Sequence, residues 1–155
     1  MTIALIVASG LAFITSLVLF IVAKSMETEL IDMMVFMSGT TDIGSNRFYY
    51  NYIFALVIAG LIVSAITLGF FIAEKIRGGR FTHPAIVIPF RIFAIARLIF
   101  GGMWLQESIM AFVLMGQYGS NAVDPHPIVR LILIFGLTVG LLLTFTSIGS
   151  IFRSK

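Results

Sequence analysis

One carboxyl group of this chain lies inside a long apolar segment, where its charge could carry out chemistry. Glu107 and Gln106 lie about two-thirds of the way along the apolar segment Pro89–Met115, which also contains Arg97 and Trp104. Near the middle of a bilayer a charged side chain costs on the order of 2.5–3.5 kcal/mol on insertion scales, so it usually faces protein or water. We therefore treat Arg97, Gln106 and Glu107 as members of a candidate intramembrane polar site.

The sequence leaves two interpretations of Glu107 open. In the first, Glu107 is structural and pairs with Arg130, the fourth member of the candidate site, which enters the last apolar segment from the same side of the membrane. In the second, Glu107 is a proton or cation site. We favour the structural interpretation because a conducting pathway needs a second relay group, and the sequence offers only Gln106 and scattered hydroxyls. Arg97 is ten residues away, so we expect it to extend towards the nearer membrane surface and to pair with Glu74.

Four apolar segments must position these side chains. They are Ile3–Ala23, Tyr52–Ala73, Pro89–Met115 and Ile128–Phe152. Each is long enough to cross a hydrocarbon core of about 30 Å as a helix. Of the 155 residues, 59% are hydrophobic and 11% are charged, against roughly 25% charged residues in soluble domains. We therefore predict a single all-α domain over residues 1–155, a four-transmembrane-helix bundle with a short interfacial helix after the first span.

The predicted interfacial helix lies in the loop that follows the first span. The stretch Met26–Met37 contains Glu27, Glu29 and Asp32 among methionine, leucine, isoleucine, valine and phenylalanine. Acids interspersed with apolar residues over about three turns are typical of a helix that lies along a membrane surface.

Basic residues predict the orientation of the bundle. Lys75, Arg77 and Arg80 lie between the second and third spans, and Arg153 and Lys155 end the chain. Four spans put these two regions on one side, and loops rich in lysine and arginine stay in the cytoplasm. We therefore expect a multi-pass protein of the cell (inner) membrane with both termini cytoplasmic. Nucleic-acid binding is not expected, because it needs a larger basic face than a net charge of +3 supplies.

Small residues recur at helical spacing and predict where helices pack closely. Ala65, Gly69 and Ala73 follow one another at intervals of four on the second span, and Gly136 and Gly140 do so on the fourth. In lipid, helices associate where small side chains let their backbones approach. Packing within the bundle uses some of these faces, and we expect other chains to cover at least one of them.

The residue types that carry catalysis or hold cofactors are poorly placed. The chain has no cysteine, which excludes thiolate metal sites and cysteine nucleophiles. His83 and His126 lie in loops on opposite sides of the predicted membrane, so they cannot act together as ligands of haem or of a metal ion. We predict no catalytic residue, no cofactor and no metal site, but contacts with lipid along the spans. No motif diagnostic of a protein family is present.

The sequence as a whole predicts a structural role in the membrane. We expect a small accessory subunit, not itself an enzyme, that contributes helices and contacts to other integral membrane subunits of a larger complex. The alternative hypothesis is a proton- or ion-pathway subunit, or a quinone-handling subunit, organised around Glu107. A third hypothesis is a homo-oligomer that forms a pore.

Overall fold

Helices form nearly all of the chain that this computed structural model describes, namely residues 2–38, 43–118 and 127–153. In chain order they are α1 (Thr2–Ser25), α2 (Glu27–Ser38), α3 (Ile43–Arg77), α4 (Pro84–Tyr118) and α5 (Pro127–Phe152). No strand occurs within the described ranges. Four of these helices, α1, α3, α4 and α5, are long and apolar enough to cross a membrane. The predicted all-α bundle of four transmembrane helices, with a short helix after the first span, is confirmed.

A glycine turn ends α3 and reverses the chain. Gly78 has a φ of 77°, in the left-handed region that glycine adopts readily and that commonly follows the last turn of a helix. The backbone N–H groups of Gly78 and Gly79 donate to the carbonyl oxygens of Lys75 and Glu74, both at 3.2 Å. These hydrogen bonds satisfy two of the last backbone carbonyl groups of α3, and α4 starts only a few residues later.

The fourth helix begins earlier than the sequence predicted. Pro84 takes the first helical position, where the missing N–H of proline costs no hydrogen bond. His83 caps the helix: its Nδ1 accepts from the N–H of Ala85 at 3.3 Å, and its carbonyl oxygen accepts from the N–H of Val87 at 3.1 Å. Pro89, expected at the start of the third span, therefore lies inside α4.

Around the bundle the spanning helices follow the order α3, α1, α5, α4. The first helix packs on both α3 and α5 through small buried side chains, namely Ala8, Ser9, Ala12 and Ser16. Lipid tails are as apolar as leucine, so helices gain little from burying apolar surface and associate through close backbone approach instead. Small side chains on α1 allow that approach on two sides.

The two glycines predicted as packing positions on α5 lie against α4. A Cβ atom added to Gly140 would lie 3.1 Å from the backbone nitrogen of Leu105, and one added to Gly136 would lie 3.0 Å from Ser108 Oγ. Both distances are shorter than ordinary van der Waals contact. Gly136 and Gly140 therefore serve contacts within this chain.

Two of the three packing positions predicted on α3 face away from the rest of the described bundle. Gly69 and Ala73 are exposed, and Ala65 is half-buried. A Cβ atom added to Gly69 would meet no atom within 4 Å. The exposed side chains of Ile66 and Ile76 project on either side of these small residues. We call Gly69 and Ala73, with the flanking Ile66 and Ile76, the α3 notch.

Large side chains fill the space between α3 and α4, whose backbones approach less closely than those of the other neighbouring spans. The rings of Phe70 on α3 and Phe90 on α4 stack with their centroids 3.5 Å apart. Deeper in the bundle, Trp104 lies against Gly60, where an added Cβ would be 3.3 Å from the indole nitrogen. Arg97 is seven residues from both Phe90 and Trp104, so the three share the face of α4 that points to α3.

We predict that Gly140→Leu lowers the unfolding temperature of the protein and that Gly102→Leu does not. The added side chain at Gly140 meets the backbone of Leu105, which cannot move aside, and overpacking of this kind typically costs about 1–3 kcal/mol. Gly102 is the matched control because it is exposed on α4 and an added Cβ would meet no atom within 4 Å. Circular dichroism during thermal unfolding in one detergent compares them. Equal unfolding temperatures would contradict the α4–α5 packing.

Candidate functional site

Arg97 is the largest fully buried side chain of the described bundle, with 0% of its surface exposed. Its Nε donates to Ser147 Oγ at 2.9 Å, and its Nη1 donates to Thr67 Oγ1. Its Nη2 donates to Ser150 Oγ at 2.7 Å and to the carbonyl oxygen of Thr146 at 3.0 Å. These bonds use four of the five N–H groups of a guanidinium. We call Arg97 and these acceptors the Arg97 cluster, which joins α4 to both α3 and α5.

The hydroxyl groups of the Arg97 cluster are oriented as acceptors. Thr67, Ser147 and Ser150 each donate their single O–H to the backbone carbonyl four residues earlier, at 2.6–2.7 Å. A hydroxyl has one donor and two lone pairs. Since the donor is used within its own helix, the lone pairs are left to receive N–H groups, and a guanidinium supplies only N–H groups.

Aromatic rings complete the surroundings of Arg97. Its guanidinium carbon lies 5.7 Å from the ring centroids of both Phe90 and Phe93, a distance at which a cation is attracted to the ring face. Within the described part of the chain, no carboxylate forms an ion pair with Arg97. The buried charge is therefore stabilised by neutral acceptors and ring faces.

Two of our expectations for Arg97 are wrong. Its side chain does not extend to the membrane surface, and its partner is not Glu74. The physical reason is that Thr67 and Ser147 supply acceptors at the depth of Arg97 itself. The guanidinium is satisfied there without reaching water, and Glu74 pairs with Arg153.

A second polar cluster lies at the end of the bundle where α3 turns into α4. Glu74 and Arg153, each more than nine-tenths buried, form an ion pair. The other carboxylate oxygen of Glu74 accepts from the backbone N–H of Phe81 at 3.2 Å. Arg80 Nη1 donates to the carbonyl oxygen of Arg153 at 2.6 Å. We call these four residues the end cluster, which holds the end of α5 against the α3–α4 turn.

The remaining members of the predicted site lie apart from Arg97. Gln106 is exposed and Glu107 is half-buried. Because α4 is continuous, Arg97 and Glu107 are separated by roughly 15 Å along the helix, at 1.5 Å per residue. The side chain of Arg130 lies outside the part of the chain that the structure describes, so its pairing with Glu107 stays a prediction. His126 also lies outside the described residues.

Our sequence analysis missed the acceptors of Arg97. Thr67 precedes Glu74 by seven residues and Ser147 precedes Arg153 by six, so both hydroxyls lie roughly 10 Å inward from the ion pair. The sequence signal that could have identified them is a pair of hydroxyl-bearing residues at the same depth on two helices. Their depths can be compared only once Glu74 and Arg153 are known to pair, because that ion pair aligns the two helices.

The chemistry open to the Arg97 cluster is limited to binding and positioning. A guanidinium donates hydrogen bonds but does not release its proton in proteins, and it cannot accept one. The hydroxyls around it are bonded to backbone carbonyls, so none is placed beside a general base. Among the described residues, no group of three or more histidine, cysteine, aspartate or glutamate side chains could hold a metal ion. This arrangement fastens helices together.

Comparisons with known proteins do not identify a relative. No protein-family model matches the chain, and no match is found among curated proteins or solved structures. We therefore infer function from the contacts of the chain itself.

We predict that Glu74→Gln destabilises the protein more than the double change Glu74→Gln with Arg153→Gln. Removing one member of a buried ion pair leaves the other charge without compensation and typically costs about 3–5 kcal/mol, whereas the double change removes both charges. The free energy of unfolding, from denaturing-detergent titration of the purified protein, measures the difference.

The control for this pair is an exposed ion pair at the opposite end of α1. Glu27 Oε2 lies 3.3 Å from Lys24 Nζ, and Glu27 Oε1 lies 3.8 Å from Arg47 Nη2; the side chains of Lys24, Arg47 and Glu27 are 65%, 64% and 31% exposed. Glu27→Gln should cost less than about 1 kcal/mol, because solvent screens the interaction. Equal destabilisation by Glu74→Gln alone and by the double change would show that the buried pair is not coupled.

Proposed function

We propose that the chain is a small non-catalytic integral membrane subunit that contributes helices and contacts to a larger assembly of membrane proteins. The observation that carries this proposal is the α3 notch. Gly69 and Ala73 lie exposed between Ile66 and Ile76, and no atom of the described chain comes within 4 Å of a Cβ added to Gly69. Another helix can approach the backbone of α3 closely at this place, which is how transmembrane helices associate in lipid.

The buried polar residues support a structural role. The cationic side chain of Arg97 bonds to α3 and α5 of the same chain, and Arg153 bonds to Glu74. Both interactions join elements that are distant in sequence. Such hydrogen bonds and ion pairs hold the helices in fixed positions, which suits a protein that contacts its neighbours through its outer surface.

The proposed partners are other integral membrane subunits, and lipids cover the rest of the apolar surface. An α-helix with small residues on the facing side suits the α3 notch, because two such surfaces bring their backbones together. A second copy of this chain would offer its own α3 notch in the same way. The mass of the assembly distinguishes a homo-oligomer from a complex of different chains.

We also propose that the protein lies in the cell (inner) membrane with both termini in the cytoplasm. Lys75 and Arg77 lie in the last turn of α3, Arg80 follows in the turn to α4, and Arg80 bonds to the backbone of Arg153 at the end of α5. Basic residues from two parts of the chain thus meet at one end of the bundle, and such ends stay in the cytoplasm. Lys155, the last basic residue of the predicted tail, lies outside the described residues.

We predict that Gly69→Leu releases the protein from its assembly and leaves its own fold intact. The leucine side chain fills the α3 notch, and its Cβ atom meets no neighbouring group within 4 Å. Blue native electrophoresis of gently solubilised membranes should show the variant at lower mass, and circular dichroism of the purified chain should show an unfolding temperature no lower than that of the original protein.

Gly102→Leu is the matched control for assembly, because Gly102 is equally open but lies on α4. It should leave the mass of the assembly unchanged. If both glycine variants stay fully assembled, the α3 notch faces lipid and the proposal fails. If the assembly contains only copies of this chain, the partner is a second copy.

A further inference from the structure

An open cavity of about 230 Å³ lies beside the end cluster. Its walls come from the end of α3, the turn that follows it, the end of α5 and the start of α1. They are formed by Thr2, Glu74, Lys75, Gly78, Gly79, Arg80 and Arg153. One water molecule occupies roughly 30 Å³ in the liquid. The cavity therefore has room for a group several times larger than water.

The wall of this cavity is positively charged. Lys75, Arg80 and Arg153 carry three positive charges, and Glu74 carries one negative charge that Arg153 neutralises. Lys75 and Arg80 are exposed, and Nη1 of Arg80 also donates to the carbonyl oxygen of Arg153. An anion is therefore attracted to the cavity, and the remaining charge of the wall repels cations.

Arg153 adds a donor that no other described group uses. Its Nε is buried and has no hydrogen-bond partner among the described residues, while Nη2 of the same side chain bonds to Glu74. Arg153 lines the cavity and is more than nine-tenths buried. A buried N–H group without an acceptor is costly, so Arg153 keeps an unused donor beside the cavity, although the Nε atom itself is not exposed to it.

A phenylalanine-lined slot adjoins the basic cavity. The slot, of about 60 Å³, lies between α3 and α4 and is lined chiefly by Phe70, Phe71, Phe81, Val87 and Phe90. It shares Glu74, Arg80 and Arg153 with the basic cavity. The two together offer cationic donors next to an apolar surface, and a phospholipid carries an anionic phosphate next to apolar chains.

We propose that this cavity binds the phosphate group of an anionic phospholipid. The phosphate oxygens accept from Lys75 and Arg80 beside Arg153, and an acyl chain packs against the phenylalanine side chains that line the slot. Basic pockets between transmembrane helices bind anionic head groups in this way. The lipid holds together α3, α4 and α5 at the end cluster, whether or not the chain assembles with other proteins.

Native mass spectrometry of the full chain in detergent tests the proposal with three probes: phosphatidylglycerol, phosphatidylcholine and glycerol phosphate. Phosphatidylglycerol should bind more tightly than phosphatidylcholine. The double change Lys75→Gln with Arg80→Gln should weaken its binding by about tenfold or more, since each basic residue near the head group contributes on the order of 1 kcal/mol. Lys75→Gln alone should show part of the loss and leaves the bond from Arg80 to Arg153 in place.

Arg77→Gln is the control, because Arg77 is an exposed basic residue at the end of α3 that does not line the cavity and contacts the slot only through the outer ring contact with Phe81, at 5.2 Å. It should leave phosphatidylglycerol binding unchanged. Equal binding of the two lipids would overturn the proposal, because the cavity would then show no preference for an anion. An equal loss in Arg77→Gln would overturn it in favour of general charge attraction. If glycerol phosphate binds as tightly as phosphatidylglycerol, the proposal that a lipid supplies the phosphate group fails. The cavity would then be assigned to a soluble phosphate compound.

Discussion

A guanidinium buried in a membrane protein must find hydrogen-bond acceptors in the protein, and this constraint organises one half of the bundle. Arg97 has no exposed surface, so its N–H groups cannot bond to water. Any N–H group left without a protein acceptor would therefore destabilise the fold. The acceptors are the hydroxyl oxygens of Thr67, Ser147 and Ser150. Each hydroxyl donates its proton to a backbone carbonyl of its own helix, which leaves its oxygen free to accept from Arg97. One side chain thereby joins α4 to both α3 and α5.

Polar and small residues divide the work of holding the helices together. Gly136 and Gly140 allow α5 and α4 to touch along their backbones, whereas α3 and α4 are joined by long side chains such as Arg97 and Phe90. Apolar burial is a weak driving force in lipid, so the bundle depends on both close backbone contacts at glycine and contacts between long side chains. The α3 notch, built like the internal contacts but facing outward, is the surface on which our proposal of an assembly subunit depends.

Much of the fold could be predicted from the sequence, because the length of the apolar segments reports directly on the thickness of a membrane. Pairing was harder to predict. We assigned Glu74 to Arg97, since sequence gives the depth of a residue but not the direction in which its helix face points, and Arg153 proved to be the partner. Serine and threonine are common in transmembrane helices, so the acceptors of Arg97 were not distinguishable from ordinary packing residues until α3 and α5 were placed around α4.

The most direct measurement of the central interaction is a double-mutant cycle between Arg97→Met and Thr67→Val, read as free energies of unfolding in detergent. We expect a coupling energy between about 0.6 and about 1.7 kcal/mol, which are the mean and the maximum found for interhelical hydrogen bonds in a membrane protein. The control cycle uses Thr138→Val, because Thr138 also bonds to the carbonyl four residues earlier but lies outside the Arg97 cluster, and it should be additive. Additivity in the Thr67 cycle as well would contradict the role of Arg97 in joining α4 to α3.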